Sequence, residues 1–165
     1  DVCSSDLSEL PQMQINQSSQ PIAELAMLIR PYEHRDQVAV VALWDECGLT
    51  RPWNDPRLDI ERKLTVQSDW FLVGEVDHAI IATAMFGYDG HRGWINYLAV
   101  SPKHQNKGYA RKLMSHGEQI LISVGCPKIN LQVRDSNTSA RDFYEAIGYT
   151  QDQVISYGKR LIKDD

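Results

Sequence analysis

Only three cysteines, Cys3, Cys47 and Cys126, occur in 165 residues, an odd number at wide spacing with no C-x-x-C or Cys/His pattern. Neither a disulfide framework nor a zinc site is indicated, so idle thiols in a reducing compartment are expected and no metal is. The chain lacks any apolar run approaching the roughly 18 residues of a membrane span. Its first residues lack a basic stretch followed by a continuous apolar one, so no secretion signal is read and the cytoplasm is the expected location. Positive charge is also short: 17 Lys and Arg stand against 22 Asp and Glu, a formal charge of −5. That excludes the basic stripe with which a nucleic-acid binder displaces counterions. Two phosphate-binding patterns are missing as well. Without G-x-x-x-x-G-K-[ST] a P-loop NTPase is not indicated, and without G-x-G-x-x-G after the first strand a dinucleotide fold is not either.

What is there is ordinary for a globular chain, with 42% hydrophobic and 24% charged residues. A single domain of this length buries roughly 70% of its unfolded surface and needs no staples. Residues 1–26, rich in Ser and Gln and with little periodicity, read as a tail, and residues 27–165 as the domain. The opening "DVCSSDL" is compatible, when back-translated, with the end of a widely used sequencing adapter, so the natural chain is expected to begin near Met27.

From Met27 the pattern sharpens. "MLIRPY" predicts a short strand, "HRDQVAVVALWDECG" a helix stopped by Gly48, and Arg57 to Val66 a second helix. Strands follow at 70–76 and 79–88, then an Asp89-Gly90 hairpin signal and a strand at 94–100. A helix opens at Gly108, with Ala110, Leu113, Met114 and Leu121 at helical spacing. "KINLQVR" alternates as a strand with Ile129, Leu131 and Val133 on one face, "NTSARDFYEAIG" is helical, and "VISYGKRLI" predicts one or two closing strand pieces. The order describes a mixed α/β domain rather than a regular βαβ wind.

Between strand and helix lies "AVSPKHQNKGYARKLM". The first N–H groups of a helix have no partner within it, and its dipole puts roughly half a positive charge there, so an anion is the natural occupant. Lys103, His104, Lys107, Arg111 and Lys112 add positive charge around the turn. The run V-x-P-x-x-Q-x-x-G-x-A, with Gln105, Gly108 and Ala110 at its defining places, resembles the acyl-CoA pyrophosphate motif of the GNAT superfamily of N-acyltransferases. Asn137, Ala140, Phe143, Tyr144 and Gly148-Tyr149 are similar to the second motif of that family, and the element order matches it from residue 27 to about 162.

The resemblance implies an α/β GNAT fold, a mixed and mostly antiparallel central sheet with a V-shaped splay and flanking helices. It implies acetyl-CoA as cosubstrate. Leu98, Ala99 and Val100 would face its pantetheine, and backbone N–H groups of Gln105, Asn106, Lys107, Gly108, Tyr109, Ala110 and Arg111 would hold the pyrophosphate. Asn137 would touch the pantetheine arm and Tyr144 would protonate the departing thiolate. The expected reaction is direct attack by a primary amine of a small molecule or peptide, in a monomer or homodimer. A non-catalytic acyl-CoA sensor is the alternative, needing the loop but not the acid.

For the acceptor the residues leave several readings open. In "RPWNDP", Trp53 offers a stacking wall, Asp55 a partner for an ammonium and Arg51 one for a carboxylate, with Tyr88 and Asn96 as further candidates. The same loop reads equally as a lid on the core. Spacing does not rank Asp89, Glu33 and Asp55 as the base. Asn137 reads both as a helix cap and as a ligand, and Tyr144 sits at a spacing that also suits plain packing.

Overall fold

A computed structural model describes residues 26–164, and all but the last residue of the tail expected over residues 1–26 lies outside them. Five strands form one sheet in chain order: β1 (Leu28–Pro31), β2 (Phe71–Val76), β3 (Ala79–Tyr88), β4 (Gly93–Val100) and β5 (Ile129–Asn130). The first four pair antiparallel and β4 with β5 parallel. Four helices flank it: α1 (Gln37–Glu46), α2 (Pro56–Leu64), α3 (Tyr109–Ser123) and α4 (Thr138–Ala146). Among the described residues no helix is long and apolar enough to cross a membrane.

Local chemistry sets the ends of these elements. Asp77 and His78 both take positive φ, 49° and 63°, which matches the twist of the strands they join and makes a two-residue hairpin. At the next turn the Asp89 carboxylate accepts from the His91 and Arg92 N–H groups at 2.8 and 2.7 Å. Asp55 caps α2 by accepting from Arg57 N–H at 2.8 Å, ahead of Pro56 at the first helical position. At the start of α1, the buried Asp36 carboxylate receives Arg30 at 2.7 and 2.9 Å, while Arg30 also reaches Glu75 of β2 at 3.0 Å. Burial works against the Asp36 charge, but these bonds outweigh it and hold its pKa below the usual carboxylate value.

The sheet buries both faces. One packs Leu72, Ala84, Phe86 and Ile95 against Leu113 and Met114 of α3. The other packs Phe71, Val73 and Met85 against Val40 and Trp44 of α1 and Ile60 of α2. Helix α3 lies unusually close, because Gly117 meets the ring of Phe86 where a Cβ would stand 1.9 Å from its Cζ.

Two expectations are corrected. The strand over 128–134 shrinks to Ile129–Asn130, and "VISYGKRLI" forms no strand. A ladder needs a continuous edge, and β5 meets β4 at only two registers. The closing segment therefore has nothing to extend, and Val154, Ile155, Tyr157, Leu161 and Ile162 stay exposed. It is tied instead by scattered side-chain contacts, among them Asp152 to Lys128 at 2.6 Å and Asp164 to the Asp55 N–H at 2.9 Å and to the Arg62 guanidinium.

Substituting Gly117→Ala should lower stability by about 1–3 kcal/mol through overpacking against Phe86. At this chain length that is a fall of several degrees in Tm, measurable by calorimetry.

Candidate active site

The parallel pairing of β4 with β5 joins Gly93 to Ile129 and Trp94 to Asn130 and then stops. Beyond it the two chains part. A cavity of about 480 Å³ opens there between residues 94–98 and residues 131–134, closed by 47–54 on one side and by Asn137, Ala140 and Tyr144 on the other.

The parting coincides with a bulge in β4. Thr83 pairs with Ala99 and Met85 with Asn96, so Tyr97 and Leu98 together stand opposite Ala84. Tyr97 takes φ of 51°, a left-handed conformation that costs a bulky L-residue roughly 1–2 kcal/mol. Three contacts hold it there. The buried Thr83 hydroxyl donates to the Tyr97 carbonyl at 2.9 Å and accepts from the Trp44 Nε1–H at 2.9 Å. The Trp44 indole stacks on the Tyr97 ring, centroids 3.9 Å apart and planes 18° from parallel. The Tyr97 hydroxyl donates to Asp59 Oδ2 at 2.6 Å. Each hydrogen bond is worth about 1 kcal/mol net and the ring pair about 0.5–1.5 kcal/mol, which together exceed the strain. The bulge also exchanges faces: Ile95, Leu98 and Val100 pack toward α3, whereas Tyr97 and Ala99 pack toward α1.

After β4, one tight turn (Pro102–His104) leads to α3, whose N-cap is Gly108 at φ 84°. A Cβ at Gly108 would meet nothing within 4 Å, so glycine serves the conformation there and leaves the approach open. The first helical bond runs from Lys112 N–H to Gly108 O at 3.1 Å. The N–H groups of residues 106–111 donate to no backbone acceptor among the described residues. Together with the helix dipole they make a position at which negative charge would be stabilised. The Gln105 side chain turns back instead, its Nε2 donating to Val100 O at 3.0 Å and fastening the loop to the end of β4.

Across the cavity, Asn137 caps α4 by accepting from Ala140 N–H at 3.1 Å and also lines the opening. Tyr144 packs edge-on to Phe143 and Tyr149, centroids 5.1 and 5.7 Å away. Tyr149 is itself anchored by donating to Glu118 at 2.8 Å. Burial pushes the Tyr144 phenol up to about 12, so it stays protonated across the working pH range.

Of the expected site residues, Leu98, Asn137, Tyr144, Arg51, Trp53 and Asn96 converge on this one cavity. Ala99 and Val100 are buried beneath it in the β3 pairing, and the loop of Gln105 to Arg111 follows the end of β4 without lining its wall. Tyr88, Asp89 and Asp55 also stand off the wall. Tyr88 donates to Gly90 O at 3.2 Å beside the hairpin turn, where Asp89 also accepts from Trp94 Nε1 at 3.2 Å, and Asp55 is spent on its helix cap. Glu33 pairs with Arg35 at 2.7 Å near the start of α1. Sequence reasoning missed Trp94, Cys47 and Arg134 on the wall. Alternation back from Asn96 reaches Trp94, whereas Cys47 enters only because α1 ends against β4, its Sγ 3.4 Å from Val100 O. Among the described residues no group of His, Cys, Asp or Glu could hold a metal ion.

Comparison with known proteins agrees with this geometry. The pattern of the acetyltransferase (GNAT) family matches residues 37–149. An acetyltransferase of Sodalis glossinidius is 50% identical over 139 residues, covering 84% of this chain and 98% of that one. One of Yersinia enterocolitica is 47% identical over 138 residues, with the same coverage. Among solved structures, Ard1 of Thermoplasma volcanium superposes with TM-score 0.65 at 17% identity, covering 76% of this chain and 83% of that chain. The aminoglycoside acetyltransferase AAC(6')-Iy, in complex with a bisubstrate analogue, does so with TM-score 0.65 at 18% identity, over 82% and 99%. These two likenesses bear on the fold alone.

Replacing Thr83→Val removes the hydroxyl while keeping the shape, stranding the Trp44 N–H and the Tyr97 carbonyl. Urea unfolding should show a loss of about 1–3 kcal/mol for each group left unpaired, with Thr83→Ser recovering most of it.

Proposed function

The chain belongs to the GNAT family of acetyltransferases, and on that premise we propose that it transfers the acetyl group of acetyl-CoA to a primary amine by direct attack. The observation that carries the reading is the row of N–H groups over residues 106–111 that meet no backbone acceptor among the described residues, in the loop that follows the strand walling the cavity. Those groups, with Lys107 and Arg111 beside them, suit the pyrophosphate. Gly108 lets a bulky phosphate come against the backbone. From there the pantetheine arm runs between β4 and residues 131–134, where β4 has lost its parallel partner and offers free backbone groups near Leu98. Asn137 contacts the arm from the start of α4.

In the reaction the neutral amine nitrogen attacks the thioester carbonyl carbon, and the carbonyl oxygen takes up negative charge. A backbone N–H of the bulged strand near Leu98 stabilises that charge. The C–S bond then breaks, the departing thiolate takes a proton from the Tyr144 hydroxyl, and the proton lost by the amine nitrogen passes through solvent water to restore that hydroxyl. A sensor would need the anion site alone. A protonated phenol on the same cavity favours the enzyme.

Acetyl-CoA should bind with micromolar-range affinity by calorimetry, and no heat at millimolar ligand would sink the reading. Gly108→Glu sets a carboxylate against the pyrophosphate and forces a side chain into left-handed backbone, so binding should be lost.

Tyr144→Phe should lower turnover by at least tenfold with acetyl-CoA affinity nearly unchanged; equal turnover would move the acid elsewhere. In the unsubstituted protein kcat/KM should rise as the acceptor amine deprotonates. It should show no falling limb below about pH 10, because the Tyr144 phenol lies at about 12 and keeps its proton there.

A further inference from the structure

The charged side chains on the cavity wall are Arg51 and Arg134, and among the described residues no Asp or Glu reaches it. Three carboxylates that stand off the wall are engaged elsewhere. Asp55 caps α2, Asp59 receives the Tyr97 hydroxyl and Arg62, and Asp89 receives two backbone N–H groups and the Trp94 indole. In a chain with five more acidic than basic residues, a wall with two guanidiniums and no carboxylate is a departure from the average surface.

Arg51 is held in place without being neutralised. Its Nη1 donates to Gly48 O at 2.8 Å and to Thr50 O at 2.9 Å, and no described residue bonds its Nη2. A guanidinium braced on one side and open on the other presents a fork for a carboxylate. The same cavity is lined by two indoles, Trp53 at 52% exposure and Trp94 at 36%, which give it an apolar, stackable surface.

The missing carboxylate bears on the chemistry as well as on binding. A lysine-like amine near pKa ~10.4 is neutral about one part in two thousand at pH 7 and calls for a base, whereas a peptide α-amine near ~8 is about a tenth neutral unaided. A polyamine or aminoglycoside would bring several ammonium groups to a wall that offers them only like charge.

Building on the acetyltransferase reading, we infer that the acceptor is the α-amine of a short peptide that carries an apolar residue and a carboxylate. The apolar side chain lies against Trp53 and Trp94, and the carboxylate meets the open edge of Arg51. Transfer then forms an N-acetyl peptide and releases free CoA thiol.

The test follows thiol release with acetyl-CoA and four acceptors: phenylalanyl-alanine, its C-terminal amide, spermidine and kanamycin. Phenylalanyl-alanine should exceed each of the others at least tenfold in kcat/KM. Arg51→Met should raise the KM for the free acid at least tenfold and bring the acid-to-amide ratio near one. A merely structural Arg51 would depress acid and amide alike. Unchanged acetyl-CoA affinity by calorimetry shows that the variant is folded. The inference is overturned by preference for spermidine or kanamycin, by equal use of acid and amide, by a ratio that Arg51→Met leaves alone, or by acetyl-CoA binding without turnover of the dipeptide. Absence of acetyl-CoA binding to the unsubstituted protein would instead fail the acetyltransferase reading itself.

Discussion

A single left-handed residue, Tyr97, governs the geometry of the cleft. Its carbonyl is turned inward to the Thr83 hydroxyl, its ring lies on Trp44, and its hydroxyl is tied to Asp59. The contacts come from β3, α1 and α2, so every layer on that side of the sheet contributes to holding one strained backbone position. Without the bulge β4 would keep its alternation, and Leu98 and Val100 would face α1 instead of α3. Strain of this kind persists only where its surroundings over-determine it, and here they do.

Positive character arises from two different sources in this chain. At the start of α3, positive character comes from backbone N–H groups and a helix dipole, which cannot be titrated away. Along the 47–54 wall it comes from Arg51, a side chain fixed by two carbonyls. An overall acidic chain thus assembles a locally cationic opening, because Arg51 and Arg134 line it and among the described residues no carboxylate does. Placement of charge, rather than its total, decides what the opening can accept.

Much of the scaffold was readable beforehand. Strand β3 falls at residues 79–88 as expected, because a two-residue turn and an Asp-Gly turn bound it on both sides. The turn at Gly108 and the helix that follows were legible because Gly108 and its neighbours act through local backbone chemistry. The region after Asn130 was not. Ile129, Leu131 and Val133 alternate as a strand should, yet the alternation reports only which side chains share a face. Whether a partner edge is present depends on β4, which is diverted at a residue more than thirty positions earlier. The same cause left "VISYGKRLI" without a ladder.

By itself the sequence determined the α/β class, the order of elements as far as the last helix, the helix that opens at Gly108 and the pairing of Asn137 with Tyr144 on one helix. All rest on periodicity, turn chemistry and capping, which act over a few residues. The tertiary structure alone decided that Trp94, Cys47 and Arg134 share a wall with Tyr144, and that Asp55 and Asp89 are spent elsewhere. A side chain becomes available to a ligand only after its competing hydrogen-bond partners have been brought near or kept away. That outcome depends on contacts between residues far apart in the chain.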